Sequence, residues 1–305
     1  MKEIKNIYCF GTSYTAGGGF EFHKDIKLVG LYKHLGIPLE QYNFSWPGLL
    51  QSIIGSDIKV HNLAKSGYGN ERIYRKTMDI FESKSANVDD SLFIFELSGM
   101  GRKEYFLNEL NDYVICNYNF NDTDDTALMH GIAQSYFEDD ADTKKILNKH
   151  EPLFKEFMQK TIKFKNQHII YQRNLLLFIS FLELHKINYL INGNVVLNPK
   201  INTHLLNYDS KLLKFPTTTD KWGDFVQFYT SYKLSLTDET RGVIRDGHCG
   251  YVGNKIISER IYNQLIDYGY INKNKINITD YKKDMLFKPT GNTEMTNFSE
   301  LNRIL

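Results

Sequence analysis

The chain reads as an α/β protein, a central parallel sheet with helices on both faces, and two observations carry that reading. Strand and helix signals alternate from residue 4 to about residue 100. The segment Leu92-Phe93-Ile94-Phe95 is apolar at every position, the pattern of a parallel strand covered on both sides.

The elements follow in order. Ile4 and the run Ile7-Tyr8-Cys9-Phe10 predict a buried first strand, with Cys9 a small core residue. Gly11 allows a sharp turn after it, which would hold Ser13 at the carboxyl edge of the sheet, where ligands bind in open α/β folds. Ser45-Trp46-Pro47 opens a helix, with Ser45 as N-cap, Pro47 in the first turn, and Leu49, Leu50, Ile53 and Ile54 on the apolar face. Lys59-Val60-His61 leads into a second strand running through Asn62-Leu63-Ala64. Asn70-Glu71-Arg72 starts a helix bearing Ile73, Met78, Ile80 and Phe81, and Ser91 to Leu97 makes the third strand.

Between about 103 and 150 the regularity fails, and Asn121-Asp122-Thr123-Asp124-Asp125 with Glu138-Asp139-Asp140 makes the stretch acidic, so an insertion with solvated loops is expected. One long helix is predicted from Pro152 to Lys186, then a strand over Tyr189 to Ile191 ending in Asn192-Gly193-Asn194, for a sheet of about five strands. Residues 198 to 240 are irregular. Within them Trp222, Phe225, Phe228, Tyr229 and Tyr232 have helical spacing and read as core. After His248 a helix carries Ile256, Ile257, Ile261 and Leu265, and from Asn272 a loosely packed polar tail is expected. The expected organisation is one domain over residues 1–271, with the insertion at about 103–150 and an extension at 272–305.

Composition narrows the function. With 305 residues, 42% hydrophobic and 24% charged, and a net charge of +1, the chain has an ordinary globular balance and no electrostatic case for nucleic acid. No secretory signal is visible. The longest apolar stretch, Leu175 to Leu184, contains Ser180 and Glu183 and falls short of the ~20 residues of a membrane span. A cytoplasmic or virion-associated protein is therefore expected, with no membrane partner. Cys9, Cys116 and Cys249 lack metal-ligand spacing and suit a reducing compartment, and the acidic stretch has no ordered Asp-x-Asp-x-Asp-Gly loop, so no metal is expected; no cofactor is expected either.

Ester hydrolysis through a serine needs a base, a group to orient it, and donors for the oxyanion. Ser13 is the candidate nucleophile, His248 the base and later the acid, and Asp246 the orienting carboxylate. Oxyanion donors would come from the Ser13 backbone and from Gly67, whose missing side chain lets its backbone approach a substrate; a plain tight turn is the alternative use of Gly67. Asn70 stands where it serves either as a helix N-cap or as a further amide donor.

These residues resemble a family, the SGNH or GDSL hydrolases, in three separated blocks. Phe10-Gly11-Thr12-Ser13-Tyr14-Thr15-Ala16-Gly17 resembles its G-D-S-x-T-x-G block with Thr12 in place of the aspartate. Asn62-Leu63-Ala64-Lys65-Ser66-Gly67 resembles the oxyanion block, and Asp246-Gly247-His248 the last block, here one residue shorter than the family's Asp-x-x-His. The resemblance implies a flavodoxin-like three-layer α/β/α fold with an insertion after the third strand. It also implies hydrolysis of acyl esters, acetyl esters of carbohydrates above all. The family's third block, G-x-N-D, is missing. The equivalent strand ends Glu96-Leu97-Ser98-Gly99-Met100-Gly101-Arg102, closer to a divergent, phage-encoded branch with Arg102-Lys103-Glu104 after it, in which Asn70 would replace the absent amide. Arg102 and Glu104 are expected to form an ion pair. Two other classes stay open: a silent binding or structural protein on the same scaffold, and a flavodoxin-like protein holding a phosphate or flavin at the Thr12 to Gly17 loop.

Overall fold

Side-chain alternation along the strands decides which helix each strand face buries. The computed structural model describes residues 3–17, 45–65, 67–98, 101–120, 127–132, 141–193, 211, 213, 215–216, 222–223 and 251–278. Strand β1 (Asn6–Phe10) leads into the short helix α1 (Ser13–Ala16). Helix α2 (Trp46–Ile54), strand β2 (Lys59–Asn62), helix α3 (Asn70–Glu82) and strand β3 (Ser91–Leu97) follow. Next come β4 (Arg102–Leu107), β5 (Asp112–Phe120), β6 (Ala127–Ile132), α4 (Ala141–Thr161), α5 (Phe164–Leu184) and β7 (Asn188–Gly193). The pair β8 (Phe215–Pro216) and β9 (Trp222–Gly223) and the helix α6 (Tyr251–Asp267) complete the described elements.

Among the described residues the central sheet has four strands in the order β2-β1-β3-β7, all parallel. About five strands are expected from the sequence; four are described. Ile7 and Cys9 of β1, Leu92 and Ile94 of β3 and Leu190 of β7 share one core with Trp46, Leu50 and Ile54 of α2 and Ile256, Ile257, Ile261 and Leu265 of α6. The opposite face is aromatic: Phe10, Phe93, Phe95 and Tyr189 pack with Ile73 of α3 and with Leu175, Phe178 and Leu182 of α5. Phe95 meets the Phe178 ring edge-on at 5.0 Å between centroids, a favoured aromatic geometry. Helices thus cover both faces, as the apolar run in β3 predicts.

Three expectations need correction. First, the stretch expected to be irregular is an antiparallel sheet, β4-β5-β6, with its own core of Leu107, Val114, Cys116, Tyr118, Ala127 and Ile132 closed by Leu147 and Met158 of α4. The acidic loops at 121–126 and 133–140 lie outside the described residues.

Second, the single helix expected from Pro152 to Lys186 is two helices, and Pro152 lies inside α4. The break has a physical cause. Ile162 is buried in the core of the antiparallel sheet, its carbonyl accepts from Ala127 N–H at the start of β6, and the following Lys163 is extended (φ −119°, ψ 141°). Third, Arg102 and Glu104 do not pair. Glu104 accepts from Arg75 Nη2 through both oxygens at 3.1 Å, and Arg102 Nη1 donates to the Tyr68 carbonyl at 2.9 Å. Side chains two apart on a strand share a face, but α3 offers a closer partner.

Smaller differences have similar origins. Met78 is exposed because its side of α3 faces solvent. Trp222, expected in a helical pattern, pairs in a two-stranded bridge with Pro216, and the rest of that aromatic stretch lies outside the described residues. The first residues of the expected tail are packed: Ile276 N–H donates to Asn263 Oδ1, Asn263 Nδ2 returns a bond to Ile276 O, and Lys273 Nζ donates to Ile54 O at 2.7 Å. Among the described residues no helix is long and apolar enough to cross a membrane.

Candidate functional site

In a parallel sheet the loops after the strands gather at one edge. The strand order reverses between β1 and β3, since the chain leaves β1 for β2 on one side and returns past β1 to β3 on the other. Such a switch point opens a crevice outside the strand ends. Ser13 follows β1, Gly67 follows β2 and Ser98 follows β3, so all three stand at this edge.

The turn carrying Ser13 is held from beneath. Glu96, the penultimate residue of β3, is fully buried, and its carboxylate takes Thr12 N–H at 2.9 Å, Thr15 N–H at 3.1 Å and Thr12 Oγ1–H at 2.5 Å. Gly11 makes room for it: a Cβ there would overlap Glu96 Oε2 and Thr15 Oγ1. Burial pushes the Glu96 carboxyl above its ordinary value of 4.5, and the hydrogen bonds from Thr12 and Thr15 oppose that rise. Gly17 ends α1 in the left-handed conformation, its N–H on Ser13 O. Ser13 itself is buried.

The loop after β2 is pinned as firmly. Leu63 N–H donates to Cys9 O and Lys65 N–H to Gly11 O, which carries the loop alongside the β1 exit. Arg72 Nη1 donates to Leu63 O, and Arg72 also stacks on the Tyr68 ring at 4.9 Å. Gly67 sits at φ 81°, a left-handed position that favours glycine.

Asn70 is not the N-cap of α3. The N-cap position belongs to Gly69, and the Asn70 amide is engaged with the end of β3: Nδ2 donates to Ser98 O at 2.8 Å while Oδ1 accepts Ser98 N–H at 2.7 Å. It thereby clamps a strand end.

Asp246 and His248 lie outside the described residues. The helix they precede is described, and it is tied to the Ser13 turn. Asn254 Oδ1 in α6 accepts Trp46 N–H at 3.1 Å, capping the start of α2, and Trp46 Nε1 donates to Thr15 Oγ1 at 3.2 Å. Ser45 is the N-cap of α2, as expected, but its hydroxyl makes no capping bond; it accepts from Asn62 Nδ2 at 3.2 Å, and Asn62 also donates to Thr15 O at 2.9 Å. The carbonyl of α1 that Asn62 holds belongs to the residue whose hydroxyl Trp46 holds.

A polar cleft adjoins the Asn70–Ser98 clamp, walled by Glu71 and Tyr74 of α3, Arg102 and Lys103 of β4, and Gln167 and Asn174 of α5. The buried Tyr74 hydroxyl has no hydrogen-bond partner among the described residues. The insertion supplies one wall, fastened to α3 by Arg75–Glu104 and by Glu71, which accepts Glu104 N–H at 2.7 Å and pairs with Lys103 at 3.3 Å. Among the described residues no group of three His, Cys, Asp or Glu side chains is placed to hold a metal ion.

Sequence reasoning passed over Glu96, Asn62, Trp46 and Asn254. A signal existed for Glu96: alternation puts it on the Leu92–Ile94 face of a strand read as buried on both sides, where a charge needs a reason. No protein-family model, curated protein or solved structure matches this chain.

Proposed function

We propose that this chain is a serine esterase of the SGNH type that hydrolyses acyl esters, acetyl esters of carbohydrates in particular. The observation that carries the reading is the meeting of the Ser13 turn, the Gly67 loop and the Ser98 strand end at one carboxyl edge, where the strand order reverses. The link from Thr15 through Trp46 to Asn254 supports it further, because it binds the helix following His248 to the helix beginning with Ser13.

In the proposed reaction Ser13 Oγ attacks the ester carbonyl carbon and its proton passes to His248, which Asp246 orients. The Ser13 and Gly67 N–H groups receive the oxyanion. His248 then protonates the departing alcohol oxygen as the carbon–oxygen bond breaks, leaving an acyl-Ser13. Water, deprotonated by His248, attacks this ester, and the acid leaves as the proton returns to Ser13. The polar cleft beside Asn70 would receive the alcohol portion, offering the Tyr74 hydroxyl and the Gln167 and Asn174 amides to a polyhydroxylated group.

The phosphate-loop alternative finds less support, because Glu96 already takes the Thr12 and Thr15 N–H groups that a phosphate would need. Hydrolysis of p-nitrophenyl acetate by the wild type and by Ser13→Ala tests the proposal. Turnover that disappears with Ser13→Ala is expected; equal rates, or none in either protein, would leave a silent scaffold as the better account.

A further inference from the structure

We propose that Glu96 is the positioning residue of the Ser13 turn, an inference that rests on the esterase reading above. A buried carboxylate is costly to keep, and apolar side chains of similar size are the usual occupants of a strand covered on both faces. Among the described residues every hydrogen bond of Glu96 goes to the two residues that bracket Ser13, Thr12 and Thr15. Gly11 is shaped to admit the carboxylate, since any side chain there would collide with it. Glu96 therefore fixes the direction in which Ser13 leaves β1, and it acts through the turn without touching the substrate.

The arrangement survives a change of protonation. With the carboxylate ionised, Oε2 accepts both N–H groups and Oε1 accepts the Thr12 hydroxyl. With a proton on Oε1, Oε2 still accepts both N–H groups and the Thr12 hydroxyl turns round to accept. Glutamine reproduces this second pattern, its Oε1 on the two N–H groups and its Nε2 donating to Thr12 Oγ1. Glu96→Gln thus keeps the scaffold, whereas Glu96→Leu keeps the bulk and abolishes it.

The test measures kcat and KM for p-nitrophenyl acetate in the wild type, Glu96→Gln, Glu96→Leu, Thr12→Val and Ser13→Ala, with thermal unfolding of each. Glu96→Gln is expected to keep kcat within about threefold. Glu96→Leu is expected to lower kcat by about 100-fold with KM nearly unchanged, as for a nucleophile displaced by an ångström or less. Thr12→Val, which removes only the hydroxyl link, decides the matter if Glu96→Leu does not fold, and is expected to lower kcat by about threefold to tenfold. A folded Glu96→Leu or Thr12→Val with wild-type kcat, or a folded Glu96→Gln as impaired as Glu96→Leu, overturns the positioning role. No Ser13-dependent turnover in the wild type rejects the esterase reading instead, and this inference with it.

Discussion

Asn70 and Ser98 exchange two hydrogen bonds, side-chain amide to backbone amide, at 2.8 and 2.7 Å, and both residues are buried. The start of α3 is thereby locked to the end of β3. Asn70→Ala removes both bonds and leaves the Ser98 carbonyl with the Tyr171 hydroxyl at 3.4 Å, a loss of about 0.5–1.5 kcal/mol for each bond. A lower melting temperature is expected, together with a fall in kcat for p-nitrophenyl acetate. A wild-type melting temperature in the Ala variant would show the clamp to be dispensable.

Asn254 connects the late part of the chain to the Ser13 turn through Trp46. Asn254→Ala removes the side-chain acceptor at the start of α2, a loss worth about 0.5–2 kcal/mol for a helix cap. Because α6 follows directly on the segment of Asp246 and His248, the esterase rate is expected to fall more than stability alone accounts for. Comparing kcat at a temperature where both proteins are fully folded separates the two effects.

The glycines at the edge are required for different reasons. Gly67→Ala meets the left-handed backbone penalty, about 1–2 kcal/mol. Gly11→Ala drives a methyl group into Glu96 and Thr15 and is expected to be the more damaging of the two. Urea unfolding of both variants checks the order.

Stability should carry the mark of Glu96. Burial raises its carboxyl above the ordinary 4.5 despite the bonds from Thr12 and Thr15, so the folded protein holds this proton more tightly than the unfolded chain does. The contribution is fully present below pH 4.5 and is lost as pH rises through the folded value. Relative to wild type, Glu96→Gln is therefore expected to gain stability between pH 4.5 and neutrality. Paired urea titrations across that range measure the difference, and Glu104, also raised by burial, cancels because both proteins contain it. A difference independent of pH would contradict the assignment.

Tyr74 tests the cleft. Tyr74→Phe removes a buried hydroxyl with no partner among the described residues, so stability is expected to hold or rise slightly. KM for an acetylated oligosaccharide should rise while that for p-nitrophenyl acetate stays the same. Equal KM values for the oligosaccharide in both proteins would remove the cleft from substrate binding.

The legible parts of this fold are those whose pattern is local. Leu92 to Phe95 are apolar throughout and form a central strand, and the Ile256, Ile257, Ile261 and Leu265 spacing marks a helix that packs as expected. The break at Ile162 was hidden because the apolar residues on either side continue a helical spacing; only the distant Ala127 N–H and the core of the antiparallel sheet stop the helix there. The antiparallel sheet was hidden for a related reason, since its strands close on one another and on α4 through contacts that no single segment reveals. At the site, the sequence marks Ser13 and Gly67 through their turns. The uses of Asn70 and Glu96 depend on partners 28 and 84 residues away.

Trapping the nucleophile tests the central claim most directly. The wild type and Ser13→Ala are treated with a fluorophosphonate, digested and examined by peptide mass spectrometry. Stoichiometric phosphonylation of Ser13, loss of esterase activity in step with labelling, and no labelling of Ser13→Ala are expected. An unlabelled wild type, or a label on another residue with turnover intact in Ser13→Ala, would contradict a Ser13 acyl-enzyme.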